Sequence, residues 1–383
     1  MVKHAEGGFN KVFRLSMDNG AVLIARIPTP IVGPISRVLA SEVATIDFVR
    51  NVLDIPVPKV IAWDGETANA AGCELILMEE ARGKQLGVIW AEMELDEKFK
   101  IVEEVVAVQK KLQSVTFSRY GSLHYKSDHK SDAAGYSASI DIRGSLPLSA
   151  KTQPVLNRGT LFHWDLRAPN FFIEDGHITS LIDWQDAWIA PLFMQERRPQ
   201  LLEDDGEMVL RLPDYFETME DKAEKAKVQA QVEKSILSWY YHRVVRERFP
   251  ALQDLFDLPL TRIRRETVLF ASDIWEGETL PLRACLYQLQ MQWDKLNTGI
   301  PCPIHFSSQE IEAHEQASTD WNEKAEFWAS LSGFVSPDGY TSHGDYEDAR
   351  KLFKELREKG LQIFSGKELA DFVDQSKWME QLR

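Results

Sequence analysis

The run from His163 to Trp184 constrains the fold more than any other part of the chain. Phe171 to Ile173 is predicted as one strand, Asp175-Gly176 as a tight turn and His177 to Ile182 as the return strand. An Asp-Gly pair between apolar runs supplies the left-handed backbone that a two-residue hairpin needs. Folding this hairpin brings Asn170, just before it, and Asp183, just after it, to one edge. Two oxygen donors at such an edge suit a hard cation such as Mg²⁺. Asp165, on the preceding loop, can accept the proton of an attacking hydroxyl. Taken singly, Asp165 and Asn170 are ordinary turn formers and Asp183 a strand-ending residue. The joint spacing His-x-Asp-x-x-x-x-Asn arises by accident in roughly a few per cent of chains this long, before the hairpin and the second Asp are counted. The combination is therefore read as a site, in which Asn170 and Asp183 hold Mg²⁺ against the phosphates of ATP.

Composition narrows what else the chain can be. With 383 residues, 44% of them hydrophobic, it can bury one large core or two modest ones meeting at a cleft. Its 59 Asp and Glu against 44 Lys and Arg give a formal charge of −15. That field opposes nucleic acid and anionic membranes and favours a neutral or cationic small molecule. Cys73, Cys285 and Cys302 are odd in number and far apart, which points to neither a disulfide framework nor a zinc site. Arg26, prolines and acidic residues interrupt every apolar run before it reaches the roughly 20 residues of a membrane span. Residues Met1 to Glu6 carry neither a secretory signal nor a presequence, so a chain starting at Met1 is expected in the cytoplasm.

From Ala5 to about Met78 the pattern is mostly strand. Lys11 to Ser16 and Ala21 to Pro28 flank an Asp18-Asn19-Gly20 turn, behind a Gly7-Gly8 pair. Ser36 or Ser41 opens a helix to about Leu53, stopped by Pro56 and Pro58. Val60 to Trp63 and Leu75 to Met78 complete a small sheet lobe, residues 1–82, and Glu79 to Gly83 is the linker. Residues 83–383 form a large, mostly helical lobe with the hairpin 163–184 and a helical tail. Its predicted helices are Asp96 to about Val115, then Met219 to Phe249 with Ile236, Trp239 and Tyr240 in a buried stripe, then one opened by a Ser307/Glu310 capping box, and then Asp345 to Lys359, closed by Gly360. Tyr125 to Gly159, polar and without a period, is expected to be disordered or only partly folded. The charged helix faces are read as solvated surface.

This pattern resembles the aminoglycoside phosphotransferase and choline kinase family, and within it the fungal branch named after altered inheritance of mitochondria. Glu6 to Phe13, Ala25 to Pro30, Ser41 to Thr45, Tyr120 to Leu123, Ala187 to Phe193 and Cys302 to Ile304 carry the likeness outside the hairpin. The resemblance implies an α+β, protein-kinase-like two-lobed fold with a small antiparallel sheet lobe, and an ATP- and Mg²⁺-dependent phosphotransferase acting on the alcohol group of a small molecule. It implies Asp165 as catalytic base and His163 as a brace of the catalytic turn. Asn170 and Asp183 become metal ligands, Gly7 and Gly8 the phosphate loop, Arg26 and Glu42 the ion pair, and the backbone from Glu79 to Ala81 the adenine contact. A mitochondrial location follows from the same resemblance. Trp184 and Trp188, with nearby carboxylates, suggest a cationic acceptor.

Two departures favour an alternative reading, a pseudokinase or nucleotide-binding module without turnover. Arg26 stands where kinases carry Lys, and its fork differs from Lys in reach. Met1 lies so close to Gly7 that the first strand is expected to be truncated, which would leave a weak nucleotide binder and a poor catalyst.

Overall fold

The structure, a computed structural model, describes every residue except 1, 7–9, 30–34, 126–155, 204–205, 273–278, 297–298, 332–334, 336–344 and 378–383. Gly7 and Gly8, and most of the polar Tyr125 to Gly159 stretch, therefore lie outside the described residues. The chain divides into two compact units, Met1–Ser272 with Gln288–Pro303, and Asp273–Tyr287 with Ile304–Arg383.

In the first unit, β1 (Val2–Glu6), β2 (Asn10–Ser16), β3 (Val22–Pro28), β4 (Val60–Asp64) and β5 (Leu75–Glu79) form one antiparallel sheet in the order β1-β2-β3-β5-β4. The expectation of a truncated first strand is corrected: Val2 to Glu6 pairs with Arg14 to Lys11 of β2. About five residues make an ordinary strand, and the outer edge of β2 accepts them. The β2–β3 turn forms where the sequence placed it, with Gly20 at φ +82° and its N–H donating to the Met17 carbonyl at 2.9 Å. Helix α1 (Ile35–Asn51) covers the sheet, packing Leu39 and Val43 on Ile76 and Met78 of β5.

The linker then leads into β6 (Lys84–Gln85), which pairs with β8 (Phe171–Glu174). Gly83 makes this possible, because its φ is +87° and a Cβ there would lie 2.3 Å from the Ile173 carbonyl oxygen. After the short α2 (Leu86–Ile89), helix α3 (Leu95–Leu112) starts at a capping box formed by Glu94 and Glu97. Ile101, Val105, Val108 and Leu112 of α3 pack with Leu161, Phe171, Ile173 and Leu181 around the hairpin, while Val102 and Val106 join Tyr241, Val244 and Val245 in a second cluster. Helix α3 is thus the backing of the hairpin. Helix α4 (Lys222–Arg248), capped by Asp221, supplies that second cluster. Its buried stripe is corrected by about one residue. Val232, Ser235, Ser238 and Tyr241 face inward, whereas Trp239 is 45% exposed. Two serines on the inner face admit close packing, and they hid the stripe from an apolar count. The unit also holds α5 (Pro250–Phe256) and α6 (Thr261–Ser272).

The second unit takes in α7 (Leu280–Met291) as far as Tyr287, then α8 (Ser308–Ser330), α9 (Tyr346–Ile363) and α10 (Gly366–Gln375). The Ser307/Glu310 capping box is present. Helix α9 does not close at Gly360 but runs through it. A Cβ there would lie 2.3 Å from the Phe372 ring, so this glycine permits close approach of α10. Among the described residues no helix is long and apolar enough to cross a membrane.

Candidate active site

Strands β7 (Gly159–Phe162) and β10 (Trp188–Pro191) pair antiparallel, and the loop leaving β7 carries His163 and Asp165. His163 is buried. Its Nδ1 accepts the Asp165 N–H at 3.2 Å and its Nε2 lies 3.1 Å from the Ile182 carbonyl, which fixes the proton on Nε2. Burial holds its pKa below the ordinary imidazole value and keeps the ring neutral. The Trp184 ring stands edge-on to it at 4.5 Å. With both nitrogens engaged, His163 ties the turn bearing Asp165 to the strand end bearing Asp183.

A single 3₁₀ turn, Ala168–Asn170, feeds β8. The buried Asn170 donates its Nδ2 to the Asp165 carbonyl and to Asp165 Oδ2, both at 2.9 Å. Its own carbonyl accepts the Ile182 N–H at 2.9 Å. The hairpin closes as the sequence implied, with Asp175 at φ +53° and Gly176 at φ +79° in the turn before β9 (His177–Leu181). A bulge leaves Thr179 between the Phe172–Ser180 and Ile173–Ile178 pairs, and its hydroxyl donates to the Arg82 carbonyl at 2.6 Å. Past β9, Asp183 adopts a left-handed backbone, φ +68°, a conformation that Asp tolerates better than most residues.

On the sheet side, the Arg26 guanidinium of β3 pairs with the Glu42 carboxylate of α1 and reaches Asp183 Oδ1 at 3.4 Å. Gln185 accepts from Arg26 and, at 2.8 Å, from Asn10 Nδ2 at the start of β2. Glu42 is 2% exposed, and burial pushes its pKa up against the opposing pull of Arg26. Asp186 reaches solvent, yet partial burial and the charge of Asp183 raise its carboxyl as well. The hairpin end thus carries several carboxylates and only part of a counter-charge, the electrostatic condition for binding a cation.

Arg26, Glu42 and Asp183 form one cluster, and Asp165, Asn170 and His163 another, joined through Ile182. Glu79 sits at the end of β5, where its N–H and one carboxylate oxygen both bond the backbone of Lys59. Beyond it, Ala81 stays in the linker without assigned secondary structure. The expected aromatic lining for a cationic acceptor is corrected at Trp184, which is 1% exposed and donates Nε1 to the Leu181 carbonyl. Its indole fills the space under the hairpin, and Trp188 packs partly buried against the α3–α4 cluster.

Sequence reading passed over Asn10, Arg167, Gln185 and Gln200. Arg167 Nε lies 2.7 Å from Asp165 Oδ2. The Gln200 amide, in the orientation that satisfies both its ends, donates to Asp165 Oδ1 at 2.6 Å and accepts from Arg197 Nη2 at 3.2 Å. Arg167, two residues from Asp165, was legible as a local ion pair, whereas the others carry no local signal.

Residues 2–194, which span the sheet, the hairpin and the loop before it, match the family described as "Phosphotransferase enzyme family". The chain belongs to that family. Its membership covers both clusters of the site. Among curated proteins it is 27% identical to a "subtelomeric hrmA-associated cluster protein" of Aspergillus fumigatus, over 93% of this chain and 92% of that one. It is 33% identical to "Altered inheritance of mitochondria protein 9, mitochondrial" of Debaryomyces hansenii over 40% of this chain and 24% of that protein. Of solved structures, aminoglycoside phosphotransferase APH(4)-Ia in ternary complex with ADP and hygromycin B is similar with a TM-score of 0.44 and 12% identity, over 78% of this chain and 93% of that chain.

Proposed function

We propose that this family member is an ATP- and Mg²⁺-dependent kinase that phosphorylates a hydroxyl group of a small molecule. The observation that carries the reading is the Asn170 side chain. Its amide nitrogen orients Asp165, while its Oδ1 accepts no hydrogen bond among the described residues. That oxygen and the Asp183 carboxylate are hard donors suited to Mg²⁺. The ion would neutralise charge on the triphosphate. Arg26, held by Glu42, is the cation available to the phosphates from the sheet, and Asp165 is the base for the acceptor hydroxyl. The Glu79 to Ala81 backbone would face the adenine, and Gly7 and Gly8 the phosphates. A mitochondrial location is proposed from the names of the yeast relatives alone. Incubation with ATP, Mg²⁺ and a panel of sugars, amino alcohols and other small alcohols tests the activity by mass spectrometry. A product 80 Da heavier, formed only with Mg²⁺, is expected, on the order of the mass of one phosphoryl group. ADP release that never depends on Mg²⁺ or on any alcohol would overturn it.

A further inference from the structure

The Asp165 carboxylate is surrounded asymmetrically. A carboxylate offers about four lone-pair positions, two on each oxygen. On Oδ2 Asn170 Nδ2 donates at 2.9 Å, and the Arg167 guanidinium stands at ion-pair distance, its Nε 2.7 Å away. On Oδ1 Gln200 fills one at 2.6 Å. Gln200 is itself held. It lies in a 3₁₀ turn, Gln200–Leu202, whose Leu201 N–H donates to the Leu166 carbonyl at 3.1 Å. Arg197 donates to the Gln200 side-chain oxygen, pairs with Glu203 at 2.7 Å and lies 5.4 Å over the Trp164 ring. Residues 197–203 thus touch the catalytic loop at Trp164, Asp165 and Leu166. A chain of contacts, Glu203 to Arg197 to Gln200, ends on the carboxylate.

We propose that Gln200 is a positioning residue for Asp165, fixing its carboxylate so that the one lone pair left open on Oδ1 receives the acceptor hydroxyl. The inference rests on the phosphotransfer reading above. In the step it serves, the acceptor oxygen bonds the γ-phosphorus of ATP as the bond to the bridging oxygen breaks. ADP leaves with that electron pair, and the hydroxyl proton passes to Asp165 Oδ1. Gln200 touches neither substrate; it sets which oxygen and which direction the base presents.

The test compares the full chain with Q200A, D165N and the double variant. Turnover is read as ADP release at saturating ATP and Mg²⁺ with water as acceptor, and the same four proteins are melted. Q200A is expected to lower kcat by about 10- to 100-fold with KM for ATP unchanged, and to add nothing in the D165N background, because a positioning residue has no effect once its target is gone. Turnover of Q200A equal to that of the parent, or an undiminished loss in the D165N background, overturns the proposal. If the parent is silent with water, the four proteins are compared with whichever alcohol of the panel supports release; a parent that releases no ADP with water or with any of those alcohols removes the phosphotransfer reading instead. The melting temperatures then decide whether the contact exists. Non-additive shifts of the single variants support the coupling, and additive shifts overturn it.

Discussion

The side-chain amide of Asn170 spans the carbonyl and the carboxylate of Asp165, 2.9 Å from each. One residue would thereby serve both halves of the proposed site, with its nitrogen on Asp165 and its oxygen left for the proposed metal. Asn170→Asp keeps an oxygen for Mg²⁺ but removes the donor and sets two carboxylates face to face. Nucleotide binding with Mg²⁺ is expected to survive while turnover falls by roughly 10²-fold or more. Calorimetry beside a coupled assay separates the two, and parental turnover in this variant would show that the bridge is dispensable.

Asp183 sits beside Glu42, Asp186 and Arg26, and its charge raises the first two carboxyls. Asp183→Ala is expected to abolish the gain in ATP affinity that Mg²⁺ confers, leaving a weak metal-independent binding. Titration calorimetry with and without Mg²⁺ reads this directly; an unchanged metal effect assigns the ion elsewhere.

Arg26→Ala should weaken ATP more than adenosine, because in the proposed function the guanidinium serves the phosphates and not the base. The same change strands Glu42, 2% exposed, without its partner, at a cost of about 3–5 kcal/mol. Arg26→Lys retains the charge and serves as the folded control. Equal losses for both ligands in the Ala variant, with the Lys variant folded as the parent is, would make the pair structural only.

Neutral His163 carries a pH signature. Its pKa is depressed in the folded chain, so the unfolded chain binds more protons as pH falls below the ordinary value of about 6.5. The stability it contributes is complete above that value and is lost as pH falls through the lower, folded one. His242, also depressed, adds in the same direction. The melting temperature is expected to drop between pH 8 and pH 5, and to drop less in His163→Gln. Parallel profiles for the two proteins would place the titration elsewhere.

Gly83→Ala meets both a left-handed backbone and the Ile173 carbonyl oxygen, 2.3 Å from the added carbon. A loss of about 2–3 kcal/mol is expected in urea unfolding, the sum of backbone strain and displaced pairing of β6 with β8. A neutral substitution would show that the linker accommodates it by moving.

The legible parts of this site are those built from neighbours in sequence. Asp165, Asn170 and Asp183 are fixed by one loop and one hairpin whose turn chemistry is local, and the β2–β3 turn at Asp18-Asn19-Gly20 is of the same kind. Gln185 became visible only when folding brought Asn10 and Arg26 to it, and Gln200 only when its turn packed on Leu166. Trp184 misled because composition cannot separate an indole that lines a pocket from one that fills a core. Gly360 misled because a glycine that admits a neighbouring ring and one that ends a helix are alike in sequence.

The crossing from sheet to helices is stitched to the hairpin at three successive points: the Arg82 carbonyl to Thr179, β6 to β8, and Gln85 Nε2 to the Pro169 carbonyl at 2.8 Å. Chain length between residues 82 and 85 is therefore counted against the register of the strand that begins just after Asn170. One residue gained or lost there would slide the edge that carries Asn170 and Asp183, whereas the exposed turn from Glu66 to Gly72 answers to no such count. Drift in length among descendants of this sequence should accordingly collect at that turn and leave the crossing untouched.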